Sequence, residues 1–310
     1  MKSISIETAE GLRLDAAIAH DDPLIERFYQ RYDRAFFLPN EKESFEGFIA
    51  CHAMNSGQPY AELSETYGPF REFTCLASSS KDSIIGGVNF IAFPVIKNQN
   101  QGGPIALVNL NYIFIDQEHR RRGLFRRLVR SIPEAAYRLL SVTNPSDIPV
   151  VATEYSQNVH IFIEQNDPFR MPQEDYELDS RLTGLDQRQR IAIWAKLGAK
   201  LIDFPYAQPP LSSSQEADHT LVYGILGANE DQLDSCELCN HLRRFFGVSV
   251  LKGHSIESEP TAARQVALLE QMCLEGKLIP LLDGRRVLEL PERSDEKTSL
   301  SLVEVLRTLP

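Results

Sequence analysis

A surplus of positive charge is missing from this chain, whose 310 residues hold 32 Lys and Arg against 43 Asp and Glu, a formal net charge of -11. Affinity for a phosphate backbone is built from such a surplus, so a general nucleic-acid binder is not expected and any basic cluster is a local device. Long hydrophobic runs are missing too. The most apolar stretch, Ile84 to Ile96, contains two glycines, an asparagine and a proline and is too short to cross a bilayer, so no membrane association is expected. The first residues have neither a long apolar core nor a cleavage-site pattern, which predicts a cytoplasmic protein. Cysteine is scarce, with five residues, odd in number and scattered, which fits reduced thiols better than a disulfide framework. Cys236 and Cys239 have a zinc-like spacing with His241 near. No second pair accompanies them and both fall on the apolar face of a helix, so core packing is favoured and no metal is expected.

What is present is ordinary globular material, 43% hydrophobic and 24% charged, long enough for one large or two unequal domains. From Asp22 onward Leu24, Ile25, Phe28, Tyr29, Tyr32, Phe36 and Phe37 recur at helical steps, so the first element is expected to be a helix. A weaker helix follows over Glu43 to Met54, and the Gly, Pro and Tyr content of Asn55 to Phe70 reads as loop. Phe73 to Ala77 and Ser83 to Ile96 suit an antiparallel hairpin, and Ile105 to Ile115 a third strand. Leu124 to Leu140 carries a broad apolar helical face interrupted by Pro133. Ser131 and Glu134 have capping-box spacing, which leaves one kinked helix or two short ones. Ile148 to Thr153 reads as a short buried strand, whereas Gln157 to Gln187 has no persistent period and reads as an insertion, partly ordered at best. Arg188 to Leu197 predicts a helix, and Lys200 to Phe204 and His219 to Leu226 predict strands. The chain after Asn229 is expected to be a smaller helical region.

The segment from Ile113 to Val129 reads as a strand, a tight turn and a helix N-terminus. Unpaired N–H groups and the helix dipole there favour an anion, and Gly123 lets a bulky phosphate approach. Six arginines, Arg120, Arg121, Arg122, Arg126, Arg127 and Arg130, surround it in an otherwise acidic protein, which suits a multiply phosphorylated ligand.

Arg120-Arg-Arg-Gly123-Leu-Phe125 resembles the signature Arg/Gln-x-x-Gly-x-Gly/Ala of the GNAT superfamily of acetyl-CoA-dependent N-acyltransferases, matching its first four positions and departing at Phe125. A second block, Ile191 to Ile202, is similar to the family's later helix-strand unit. The resemblance implies an α+β fold: a GNAT-like mixed, mostly antiparallel central sheet flanked by helices over residues 1–228, with a mainly helical C-terminal extension over 229–310. It implies acetyl-CoA as co-substrate, the strand Ile113, Phe114 and Ile115 beside its pantetheine arm, and Arg120, Arg121, Arg122, Gly123, Leu124, Phe125 and Arg126 around its pyrophosphate. Glu154, just beyond the Ile148 to Thr153 strand, lies where the family's central strands splay, and is the candidate carboxylate that neutralises an amine acceptor; an unremarkable surface carboxylate is the equal alternative. The family's usual acid is a tyrosine, and Trp194 holds that position here. It cannot serve, which leaves Tyr155, Tyr206, a water or no acid at all. The function implied is acetyl transfer to a small-molecule or peptide amine, the alternative being a non-catalytic acyl-CoA-binding protein whose C-terminal region engages a partner. Neither reading specifies an oligomeric state.

Overall fold

A computed structural model describes residues 3–38, 42–79, 83–95, 104–145, 159–212, 215–290 and 300–309. The chain divides into two compact units. The first comprises Met1–Phe36, Glu41–Ile161 and Gly247–Gly253, and the second Phe37–Asn40, Phe162–Phe246 and His254–Pro310. The α+β class expected from the sequence is observed, with mostly antiparallel strands flanked by helices.

The first unit opens with a hairpin, β1 (Ser3–Glu7) and β2 (Arg13–Ala17), and not with a helix as the periodicity predicted. Three helices follow, α1 (Pro23–Ala35), α2 (Phe45–Ala53) and α3 (Gly57–Tyr67), then β3 (Arg71–Ser78), β4 (Ile84–Pro94), β5 (Ala106–Ile115) and α4 (Leu124–Thr143). The strands lie in the order β1-β2-β3-β4-β5, each pair antiparallel. The apolar stripe of α1 packs on the sheet, where Leu24, Ile25, Phe28 and Tyr32 join Phe48 of α2, Leu76 of β3 and Phe114 of β5 in one cluster. The α3 helix replaces the loop expected over Asn55 to Phe70. It buries none of its residues, so no apolar period marks it, and its proline sits in the first turn, where a missing N–H is harmless. The α4 helix runs unbroken through Pro133. Ser131 and Glu134 reach out of it to the β1–β2 turn, at Thr8 Oγ1 (2.9 Å) and Ala9 N (2.8 Å), and do not start a second helix.

The unit division falls after Ile161, inside β6 (Val159–Asn166). The second unit continues with α5 (Gln173–Thr183), α6 (Gln187–Lys196), β7 (Lys200–Ile202), β8 (Leu221–Leu226), β9 (Gln232–Asp234), α7 (Ser235–Phe245), α8 (Pro260–Leu274), β10 (Leu278–Leu282) and α9 (Leu302–Arg307). Its strand order is β6-β8-β7-β10-β9. Of the stretch expected as an insertion, 159–187 instead forms the strand β6 and the helix α5. Val159, Ile161, Phe162 and Ile163 are all buried, so the strand shows no alternation, and α5 buries no apolar residue. That helix is tied down through its one buried residue, Asp179, which pairs with Arg190 at 2.5 Å and accepts from Gln187. Residues on both sides of position 228 build one core, with Ile191, Leu201 and Val222 packed with Val287, Leu302 and Leu306. The helices expected after Asn229 are present, accompanied by β9 and β10. The strand expected over Ile148 to Thr153 lies outside the described residues.

The reading of all five cysteines as thiols is corrected: Cys236 on α7 is joined to Cys273 on α8 across 37 residues of sequence, while Cys51, Cys75 and Cys239 are free and buried. An odd count hides a single bridge, because the pairing depends on two helices meeting. Cross-linking restricts the unfolded chain, so Cys236→Ser/Cys273→Ser is expected to lower stability by about 3 kcal/mol in urea titrations. An unchanged midpoint would refute that.

Candidate functional site

The turn singled out by the sequence is built on the end of β5. Ile113, Phe114 and Ile115 pair with Val88, Gly87 and Gly86 of β4, and Asp116 N extends the ladder to Ile85 O at 2.9 Å. A single 3-10 turn, Gln117–His119, follows, with His119 N bonded to Asp116 O at 2.9 Å. Arg121 then takes φ 62 and Gly123 takes φ 72 before α4 starts at Leu124. A left-handed conformation is uncommon for a residue with a side chain, and such strain collects at functional sites. Gly123 occupies the position where Ser or Asp would ordinarily cap the helix, so no side chain caps the first N–H groups of α4. A Cβ on Gly123 would meet nothing within 4 Å. The glycine therefore serves the backbone conformation, and the space beside it is open.

The structure divides the arginines into two sets. Arg127 donates through Nε to Glu10 O (2.9 Å) and through a terminal nitrogen to Gly11 O (3.1 Å), holding the β1–β2 turn. Arg120 is half-buried, with Nε donating to Ile115 O at 3.1 Å, and braces the end of the strand. Arg121, Arg122, Arg126 and Arg130 are exposed. Behind them Asp116 is ion-paired with Arg31 of α1; burial raises its carboxyl above the usual range, with the guanidinium opposing. Leu124 is buried and Phe125 half-buried, while Phe114 belongs to the aromatic cluster under α1. The turn thus offers uncapped helix N–H groups, positive dipole and the exposed Arg121 and Arg122, with Arg126 and Arg130 exposed further along α4, a donor set suited to phosphate oxygens.

The same unit contains a carboxylate that the sequence reading missed. Glu72, second residue of β3, is 2% exposed. Its Oε1 accepts from Asn89 Nδ2 of β4 (2.7 Å) and Asn111 Nδ2 of β5 (3.2 Å), and its Oε2 accepts from Ser249 Oγ (3.1 Å). Asn55 clasps its backbone, accepting from Glu72 N at 2.9 Å and donating to Glu72 O at 2.8 Å. Burial pushes the carboxyl up to about 7, and the three donors oppose the rise. The network continues from Asn89 to Thr74 Oγ1 (3.1 Å) and from there to His52 Nε2 (2.9 Å). Burial pushes that imidazole down to about 3 and keeps it neutral. Asn111 is the extra residue of a β-bulge, since Asn89 faces Tyr112 and Phe90 faces Leu110. A sequence signal existed: Asn89, Asn109 and Asn111 interrupt strands that are otherwise apolar.

In the second unit Trp194 is buried on α6, consistent with packing. Tyr206 is also buried, its hydroxyl bonded to Glu164 of β6 and to Gln208 Oε1 at 2.7 Å. Burial raises Glu164 to about 7 and holds Tyr206 well above its ordinary value. Glu154 and Tyr155 lie outside the described residues. Among the described residues no helix is long and apolar enough to cross a membrane.

No protein-family model matches the chain, and no curated protein matches it. Solved structures similar to it include one described as a GNAT-family acetyltransferase from Bacteroides thetaiotaomicron, at 14% identity and TM-score 0.42, covering 74% of this chain and 92% of that one. The ribosomal-protein-S18-alanine N-acetyltransferase from Escherichia coli is similar at 13% identity and TM-score 0.35, over 69% of this chain and 92% of that one. Arabidopsis thaliana NAA60 in complex with acetyl-CoA is similar at 11% identity and TM-score 0.34, over 70% of this chain and 99% of that one. What the chain is similar to is therefore a set of GNAT acetyltransferase structures.

Proposed function

We propose that this protein is an acyltransferase that moves an acetyl group from acetyl-CoA to an amine by direct attack. The observation that carries the reading is the turn between β5 and α4, where a left-handed Arg121 and an uncapped Gly123 open a helix among four exposed arginines. The pyrophosphate would sit on Arg120, Arg121, Arg122, Gly123, Leu124, Phe125 and Arg126, with Ile113, Phe114 and Ile115 alongside the pantetheine arm. By the sequence the acyltransferase region would span 1–228 and the extension 229–310, with the core around Ile191 and Val287 shared by the two. By its place in the sequence Glu154 is put forward as one carboxylate able to neutralise the amine.

Calorimetric titration with acetyl-CoA tests the site. The double reversal Arg121→Glu/Arg122→Glu is expected to weaken binding about 100-fold, because charge-assisted bonds to phosphate are worth roughly 1.5–3 kcal/mol each and repulsion replaces them. Unchanged affinity would remove the turn from the site. Release of free thiol with spermidine, a peptide α-amine and a lysine-containing peptide tests the reaction. Binding without turnover on any of them would favour a non-catalytic acyl-CoA-binding protein.

A further inference from the structure

We propose that Glu72 takes the proton of the acceptor's ammonium group, reached across the half-buried Asn111 at the β5 bulge, so that the acceptor is an aliphatic amine that arrives as a cation. This rests on the acetyl-transfer reading above. Three separate pieces of chain converge on one buried carboxyl: β4 with Asn89, β5 with Asn111, and the 247–253 segment with Ser249. The two amide nitrogens can only donate, which is the arrangement a carboxylate needs, while the Ser249 hydroxyl can turn to accept once the carboxyl is protonated. Both protonation states are therefore accommodated without a buried polar atom losing its partner. Burial sets the midpoint near 7, where a base can both take and release a proton.

The segment that supplies Ser249 is fixed in place by close packing. A Cβ on Gly247 would lie 2.2 Å from the Tyr67 ring of α3, so any side chain there would have to displace that ring. Two elements bring further titratable groups close to Glu72. From 247–253 comes Lys252, ion-paired with Glu43 at 2.8 Å. From α2 come Cys51, held as a thiol by burial, and the neutral His52.

Asn111 is the half-buried member of the network and lies on the strand that runs on to Ile113 and the cofactor turn. Beside it in the chain, Tyr112 packs its ring 4.7 Å from Tyr32 and 5.4 Å from Phe36. In the step itself an ammonium N–H bond breaks and its electron pair stays on nitrogen. The proton passes through a water molecule at Asn111 to a Glu72 oxygen, giving a carboxylic acid. The neutral nitrogen forms a bond to the thioester carbon, the C–S bond breaks, and the thiolate takes the second nitrogen proton. Glu72 then returns its proton to solvent.

The test measures the pH dependence of kcat/KM for thiol release with the best of the three amines above, in wild type, Glu72→Gln, Glu72→Asp and Glu154→Gln. Acetyl-CoA affinity and thermal melts are measured in parallel. A limb with a midpoint near 7 is expected in wild type. It should be lost in Glu72→Gln with a fall of about 100-fold and partly regained in Glu72→Asp, with acetyl-CoA binding unchanged in both. Retention of the limb and the rate by a folded Glu72→Gln overturns the proposal, as does loss of the limb in Glu154→Gln alone. If wild type binds acetyl-CoA and acetylates none of the amines, the transfer reading fails and this inference fails with it.

Discussion

Replacing Gly86 with alanine is expected to lower stability by about 3 kcal/mol or more, a larger loss than most single substitutions cause. The added Cβ would lie 2.1 Å from Phe114 O and 3.0 Å from Ile115 Cα, both backbone atoms of the neighbouring strand that cannot rotate away. Relief requires β4 and β5 to part where Gly86 faces Ile115, which also strains the bond from Asp116 N to Ile85 O. Because that strand end leads into the Arg120 turn, the acetyl-CoA affinity proposed for the turn should fall together with stability. Gly123→Ala is the comparison. Nothing crowds its Cβ, so it bears only the strain of φ 72, roughly 1 kcal/mol. Urea titration of the two variants checks the difference, and a Gly86→Ala protein as stable as Gly123→Ala would contradict it.

Stability is also expected to fall as pH rises between about 4.5 and 7, with Glu72 a main cause. Its carboxyl has a midpoint of 4.5 when unperturbed and about 7 when buried in the folded chain. Across that window the unfolded chain has released the proton and the folded chain still holds it, so each step up in pH favours unfolding. The stabilisation is fully present below 4.5 and gone above 7, an effect of about 3 kcal/mol at 1.36 kcal/mol per unit. Glu72→Gln cannot ionise and keeps an oxygen for Asn89 and Asn111, while its amide can donate to Ser249. Its stability should vary less with pH and should exceed that of wild type at pH 8. The raised Glu164 acts in the same direction and leaves a residual slope. Melts from pH 4.5 to 8.5 test this, and parallel curves for wild type and Glu72→Gln would show that Glu72 does not titrate in that window.

Much of the chain was legible because it is governed by local physics. The apolar steps of α1 and α4, the strands β3 to β5, and the strand-turn-helix around Gly123 all follow from side-chain period and backbone freedom within a few residues. Elements whose partners surround them were not legible by period. The β6 strand is buried on both faces, and α3 and α5 present no apolar stripe. The β1–β2 hairpin was overlooked although Ile4 and Ile6 alternate with polar residues, the ordinary sign of an exposed-edge strand.

The sequence alone determined the strand-turn-helix form of the Arg120 to Arg126 segment, because a glycine in the left-handed region at a helix start is a property of a few consecutive residues. Tertiary structure decided how the arginine side chains divide, Arg120 and Arg127 donating to the backbone of Ile115, Glu10 and Gly11 while Arg121, Arg122, Arg126 and Arg130 are exposed. It also decided that Cys236 meets Cys273 and that Glu72 meets Asn89, Asn111 and Ser249. A carboxyl's proton affinity depends on what surrounds it in space, and the groups that surround Glu72 lie as far away as residue 249.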